Sequence, residues 1–190
     1  MAAGNFRFLA PLRSKLLRNE DDWMNTKENL KHTLTNLWTG ELAAVVVFWF
    51  DFFLLKNRIS GTSSLVSIAF SLFVLSFILL QGSVFWWILL KRLSKPTFGV
   101  KYTGKVYWVL KGIDVMLLCL AVFPIVQCSM DLKGMLISCA IWLFALVEWV
   151  NYFIVRLSYS LNPGVLLEII KSGKLKKSRI AREIEKGRKG

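Results

Sequence analysis

The chain has 190 residues, of which 55% are hydrophobic and 19% are charged, and its formal net charge is +13. Average soluble domains carry about 25% charged residues, so this composition excludes a typical water-soluble globule. The charged residues lie almost entirely outside four long apolar runs. A bilayer imposes this segregation because hydrocarbon accepts apolar side chains and helical backbone but few ions. We therefore predict an all-α, polytopic membrane protein built as a four-transmembrane-helix bundle.

Each of the four runs is long enough to cross the membrane, because a span needs about 20 residues at a rise of about 1.5 Å per residue. The predicted transmembrane domain covers 37–157, and its spans are 37–55, 64–90, 108–128 and 134–157. Residues 1–36 form a basic segment, in which Asp22 is the predicted N-cap of an interfacial helix leading to the first span. Residues 158–190 form a basic tail of short amphipathic helices.

Within the second span, Gln81, Gly82 and Ser83 interrupt the apolar run. Small and hydroxyl-bearing residues precede them at mixed spacing. Such residues let neighbouring backbones approach, so we expect this stretch to contact other helices closely.

Lys and Arg are distributed unevenly along the chain. Six precede the first span, five lie in the second loop and ten lie from Arg156 onward, whereas the first and third loops hold two and one. Positively charged residues resist translocation, so both termini and the second loop are predicted to be cytoplasmic. The Lys-rich cytoplasmic face and the small number of sorting signals favour a plasma membrane, with a bacterial inner membrane as the preferred site.

Three acidic residues, Glu41, Asp114 and Glu148, fall in the half of the membrane nearest the cytoplasm, and Asn151 lies one turn beyond Glu148. Ionisable groups in hydrocarbon are costly, so these positions are the candidate functional residues. In one interpretation, all four side chains converge to bind a cation or a proton. In the interpretation that we adopt, they are interhelical hydrogen-bonding groups. Lys111 then pairs with Asp114, and Glu148 donates a hydrogen bond to a neighbouring helix.

Metal and cofactor chemistry have no support in the sequence. The chain has one histidine and three isolated cysteines without a CxxC pair, so we predict no metal site and no cofactor. The basic tail is expected to contact anionic phospholipids rather than nucleic acid, because nothing indicates a packed nucleic-acid-binding domain. The expected lipid contacts are Lys171, Lys174, Lys176, Lys177, Arg179 and Arg182.

No recognised catalytic spacing is present, so we expect a non-enzymatic integral membrane protein. It would be an accessory subunit or a small homo-oligomer, whose basic face docks on lipid or on a protein partner. The alternative is a small cation- or proton-coupled transporter or channel that uses the intramembrane carboxylates. A third possibility is a lipid-modifying enzyme, in which Lys91 and Arg92 meet a phospholipid headgroup.

Overall fold

The computed structural model describes residues 6–59, 61–127, 132–154 and 178–189, with residues 6–26 described by their backbone alone. This part of the chain is helical and contains no strand. A 3₁₀ turn, Lys56–Arg58, follows the first helix. The α-helices are α1 (Phe6–Leu55), α2 (Thr62–Ser94), α3 (Val100–Gln127), α4 (Leu132–Phe153) and α5 (Arg179–Lys189).

Helices cover most of each predicted span, and residues 128 and 155–157 of the predicted spans lie outside the described residues. Four helices, α1 to α4, contain stretches long and apolar enough to cross a membrane. α2 has 33 residues, about 50 Å at the rise of an α-helix, and so exceeds the roughly 30 Å of hydrocarbon, as its long apolar run predicted.

The first span and the segment before it form one continuous helix. α1 has 50 residues, so the prediction of a separate interfacial helix capped by Asp22 is wrong. The physical reason lies in the sequence that joins the two parts. Between Asn19 and Gly40 there is no proline or glycine, and adding a residue to an existing helix costs far less than nucleating a new one.

α3 begins at Val100, eight residues before the predicted start of the third span. Gly99 adopts a positive φ of 66°, a conformation that glycine reaches without strain, and it therefore marks the turn before the helix. Its carbonyl oxygen accepts hydrogen bonds from the Thr103 backbone amide at 3.0 Å and from Thr103 Oγ1 at 2.6 Å. A polar first turn thus extends the helix beyond its apolar run.

α2 lies at the centre of the bundle and packs against α1, α3 and α4. Its buried surface includes several small residues, namely Ser64, Ser67, Ser71, Gly82 and Ser83. This confirms the predicted close helix contact, because small side chains let the backbones approach. The other helices expose large apolar side chains, among them Phe50 and Phe123, on their outer surfaces.

α5 docks mainly on α3, at the end of the bundle that also contains the end of α2 and the end of α4. We call this the basic end. Ser178 caps α5, since its Oγ accepts a hydrogen bond from the Ala181 amide at 3.0 Å, and the same hydroxyl donates to the backbone carbonyl of Tyr152. Ile180 is buried in the core and Ile184 packs against it. The predicted helix of the tail is therefore present, and its apolar face packs on protein.

Two further contacts hold α5 in place. Arg92 Nη1 lies 3.0 Å from Glu183 Oε2, and these side chains are only 13% and 17% exposed. The same guanidinium donates to Thr103 Oγ1 and to the Phe98 carbonyl, both at 2.9 Å. Gly104 meets the α5 backbone so closely that a Cβ there would lie 2.6 Å from the Glu183 carbonyl oxygen. Residues 155–177, which include the first predicted helix of the tail, lie outside the described residues.

Candidate functional site

Glu41 joins three helices through one oxygen atom. Its Oε1 accepts a hydrogen bond from Trp86 Nε1 of α2 at 2.8 Å and another from Tyr152 Oη of α4 at 2.6 Å. We call these three residues the Glu41 clamp. Gly82 makes the geometry possible, because a Cβ at this position would lie 2.6 Å from Tyr152 Cζ and 2.7 Å from Glu41 Oε2. A side chain on α2 at this point would displace the clamp.

Asp114 forms a second interhelical contact, between α2 and α3. It is 0% exposed, and its Oδ1 accepts a hydrogen bond from Gln81 Nε2 at 2.7 Å. Tyr107 Oη, also on α3, donates to the backbone carbonyl of Gln81 at 2.7 Å. We call Gln81, Asp114 and Tyr107 the Asp114 clamp. The Asp114 clamp ties α2 to α3 through Gln81, whereas the Glu41 clamp ties α2 to α1 through Trp86.

The predicted pairing of Lys111 with Asp114 is wrong. Residues three apart leave an α-helix about 60° apart, so the two side chains can face different neighbours. Asp114 faces α2 and contacts Gln81, whereas Lys111 Nζ lies 5.8 Å from the ring centroid of Trp149 on α4. The Asp114 carboxyl therefore bonds to Gln81 on the neighbouring helix and not to Lys111 on its own helix.

Glu148 has different hydrogen-bond partners from Glu41 and Asp114, which both contact other helices. As predicted, Asn151 shares its face of α4, and Asn151 Nδ2 donates to Glu148 Oε2 at 3.4 Å. Within the described residues, Glu148 makes no hydrogen bond to another helix, and the predicted interhelical bond from Glu148 stays a prediction. Glu148 is half-buried and faces a cleft.

The cleft lies between α1 and α4, with α2 as its floor and the start of α5 at its basic end. Its volume is about 350 Å³. At the opposite end, the rings of Phe48 and Phe144 meet edge to face with centroids 6.1 Å apart. We call it the lateral cleft. Its polar lining residues are Glu41, Trp86, Glu148, Asn151, Tyr152, Ser178 and Arg179, and its apolar ones include Leu37, Ala44, Leu79 and Ile180.

The four candidate residues therefore do not form one cluster. Glu41, Glu148 and Asn151 line the lateral cleft, whereas Asp114 belongs to the α2–α3 contact. Trp86 and Tyr152 are partners of Glu41 that the sequence pattern did not predict. One signal was available, because an indole N–H or a phenol O–H inside an apolar span usually finds a hydrogen-bond acceptor.

The predicted lipid contacts are only partly described. Arg179 lines the basic end of the lateral cleft, and Arg182 is exposed on α5. Lys171, Lys174, Lys176 and Lys177 lie outside the described residues.

The described ranges contain no group of three or more His, Cys, Asp or Glu side chains that could hold a metal ion. Cys119 and Cys139 are free thiols there. The arrangement can form hydrogen bonds between helices at both clamps, and it presents two carboxyl groups to one partly apolar cleft.

Comparisons of the chain with models of protein families, with curated proteins and with solved structures give no match.

Proposed function

We propose that this chain is a non-enzymatic integral membrane protein that acts by association, as an accessory subunit or as a small homo-oligomer. In this proposal it lies in the plasma membrane of a bacterium, with both termini and the basic end in the cytoplasm. The excess of Lys and Arg on one side supports this orientation, since positively charged residues resist translocation.

The observation that carries the proposal is the length of α1. Lys27 and Ser94 line the same surface pocket, so Lys27 lies level with the end of α2. α1 starts at Phe6, which leaves 21 helical residues, about 30 Å, before that level. Most of the stability of a helix in a protein comes from the packing of its apolar face against other groups. A partner protein, a second copy of the chain or the lipid headgroups would stabilise this arm.

The clamps and Arg92 support a structural use of the polar side chains. Glu41 and Asp114 accept hydrogen bonds from other helices, and Arg92 contacts Glu183, Thr103 and the Phe98 carbonyl. A catalytic guanidinium that recognises a phospholipid headgroup would need these donors free. The lipid-modifying alternative therefore has less support than association.

The test is purification of the full chain in a mild detergent, followed by light scattering and mass spectrometry. We expect either a stoichiometric partner or an oligomer. Deletion of residues 1–26 should abolish the association while the bundle keeps its unfolding temperature. A monomer without a partner, also after cross-linking in the membrane before extraction, would contradict the proposal.

Cation- or proton-coupled transport is the second candidate, and Glu148 favours it. Glu148 lines the lateral cleft and makes no interhelical hydrogen bond among the described residues. If the chain transports a cation or a proton, Glu148→Gln should abolish flux into proteoliposomes, whereas Asp114→Asn should retain it. Equal flux in Glu148→Gln and the native chain, or no native flux at all, would exclude this candidate.

A further inference from the structure

The lateral cleft places two carboxyl groups inside a partly apolar space within the membrane-spanning region. Glu41 and Glu148 both line it, from α1 and α4. Like charges in a medium of low dielectric repel strongly, so two carboxylates are tolerated together only when protons or a cation compensate them. Glu41 Oε2 is buried and accepts no hydrogen bond from the described residues, which leaves it available to a donor.

We propose that the lateral cleft binds the ammonium group of a small amphiphilic amine that reaches it from the bilayer. An ammonium group donates up to three hydrogen bonds and carries the charge that the two carboxyls require. Binding of such an amine goes beyond association and is independent of whether the chain transports what it binds.

The lining distinguishes an organic cation from a metal ion. Ca²⁺ and Mg²⁺ take about six or more oxygen ligands and Zn²⁺ takes about four ligands, whereas no group of three His, Cys, Asp or Glu side chains exists in the described residues. Much of the lining is apolar or aromatic, including Ala44, Phe48 and Phe144. These side chains suit the hydrocarbon part of an amine. The volume of about 350 Å³ lies at the lower end of the range of about 300–1,000 Å³ for ligand sites, so the amine must be small.

The depth of the carboxyls matches an amphiphile. Glu148 lies five residues before the end of α4, which is about 8 Å along the helix axis, and Phe144 lies about 6 Å deeper. An ammonium group beside Glu148 would therefore place its alkyl chain against the rings of Phe48 and Phe144. Arg179 lines the opposite, basic end of the lateral cleft. In this proposal the amine enters from the bilayer, between α1 and α4.

The experiment uses the full chain in nanodiscs and octylammonium as the probe, with octanol as its neutral analogue. Calorimetric titration, with empty nanodiscs subtracted, should give saturable binding of octylammonium and none of octanol. Glu148→Gln should weaken octylammonium binding about ten- to a hundredfold, the range for a hydrogen bond to a charged group. Saturable binding of octanol with the same affinity would overturn the proposal, because the charge would then contribute nothing.

A pair of glycine variants keeps the test decisive if Glu148→Gln does not fold. Gly40 lines the lateral cleft, and a Cβ built on it meets nothing within 4 Å. Gly40→Leu should therefore fold, fill the cleft and abolish octylammonium binding. Gly112 has the same free space but lies on α3, outside the lateral cleft, so Gly112→Leu should bind like the native chain. Native binding by Gly40→Leu, or equal loss in both variants, would also overturn the proposal.

Discussion

The Glu41 clamp predicts a clear difference between two substitutions of the same residue. Both hydrogen bonds, from Trp86 and from Tyr152, end on Glu41 Oε1. Glu41→Gln keeps a carbonyl oxygen in that place and should leave the stability of the bundle nearly unchanged. Glu41→Leu has a similar size but no acceptor, so it leaves an indole N–H and a phenol O–H without their partner.

The magnitude follows from the number of bonds. Interhelical hydrogen bonds in membrane proteins contribute about 0.6 kcal/mol on average and about 1.7 kcal/mol at most. Loss of the two bonds should therefore lower the free energy of unfolding by about 1.2 kcal/mol, with an upper limit of about 3.4 kcal/mol. Glu41→Gln should stay within about 0.5 kcal/mol of the native chain, the usual effect of a substitution that removes no contact.

Unfolding in mixed micelles, titrated with a denaturing detergent and followed by circular dichroism, measures these differences. A Tyr152→Phe background provides the control. There one of the two bonds is already absent, so Glu41→Leu should cost about 0.6 kcal/mol less than in the native background. If Glu41→Leu is as stable as Glu41→Gln, or if its cost is the same in both backgrounds, the clamp does not hold the helices together.

Three further predictions concern the basic end and the orientation. Gly104→Ala should displace α5, because the new Cβ would lie 2.6 Å from a backbone oxygen of α5. Proteolysis of the C-terminus should therefore accelerate. Gly112→Ala is the control, because its Cβ meets nothing within 4 Å, and it should leave the rate of proteolysis unchanged. Arg92→Lys keeps the positive charge but loses the several hydrogen bonds that the guanidinium donates. Amide exchange in α5 should then accelerate about tenfold, as expected for the loss of about 1–2 kcal/mol. An unchanged exchange rate would contradict the role of Arg92 in docking α5 on the bundle. In a cysteine-free chain in intact cells, Lys133→Cys should react with an impermeant thiol reagent and Ser94→Cys should not; the reverse pattern would invert the proposed orientation.

Local sequence rules failed where a helix continued or where a neighbouring helix supplied the partner. Asp22 is a residue type that often caps a helix, yet α1 runs through it because no proline or glycine lies between Asn19 and Gly40. Lys111 stands at the right spacing to pair with Asp114, yet Gln81 from α2 takes that place. The N-cap rule failed at Asp22 because the helix propagated through it. The i, i+3 pairing rule failed at Lys111 because tertiary packing supplied another partner for Asp114.

The docking of α5 was beyond any local pattern. Gly104 and Gly187 are separated by 83 positions in the sequence, and their backbones lie in contact in the structure. The absence of a side chain at each position allows this contact. The amphipathic character of α5 was readable from the spacing of Ile180 and Ile184. Whether its apolar face meets lipid or α3 depends on the tertiary arrangement, since both surfaces are apolar.

The sequence by itself determined the helical class of this protein and the number of its helices that are long and apolar enough to cross a membrane. These properties follow from hydropathy and from a fixed rise per residue, which relate the length of an apolar run to the thickness of a membrane. Only the tertiary structure decided which way each polar side chain faces. It turned Glu41 and Asp114 toward hydrogen-bond donors on other helices and left Glu148 facing the lateral cleft. Rotation about the helix axis is set by the packing of neighbouring helices, and hydropathy along a single chain carries no information about that packing.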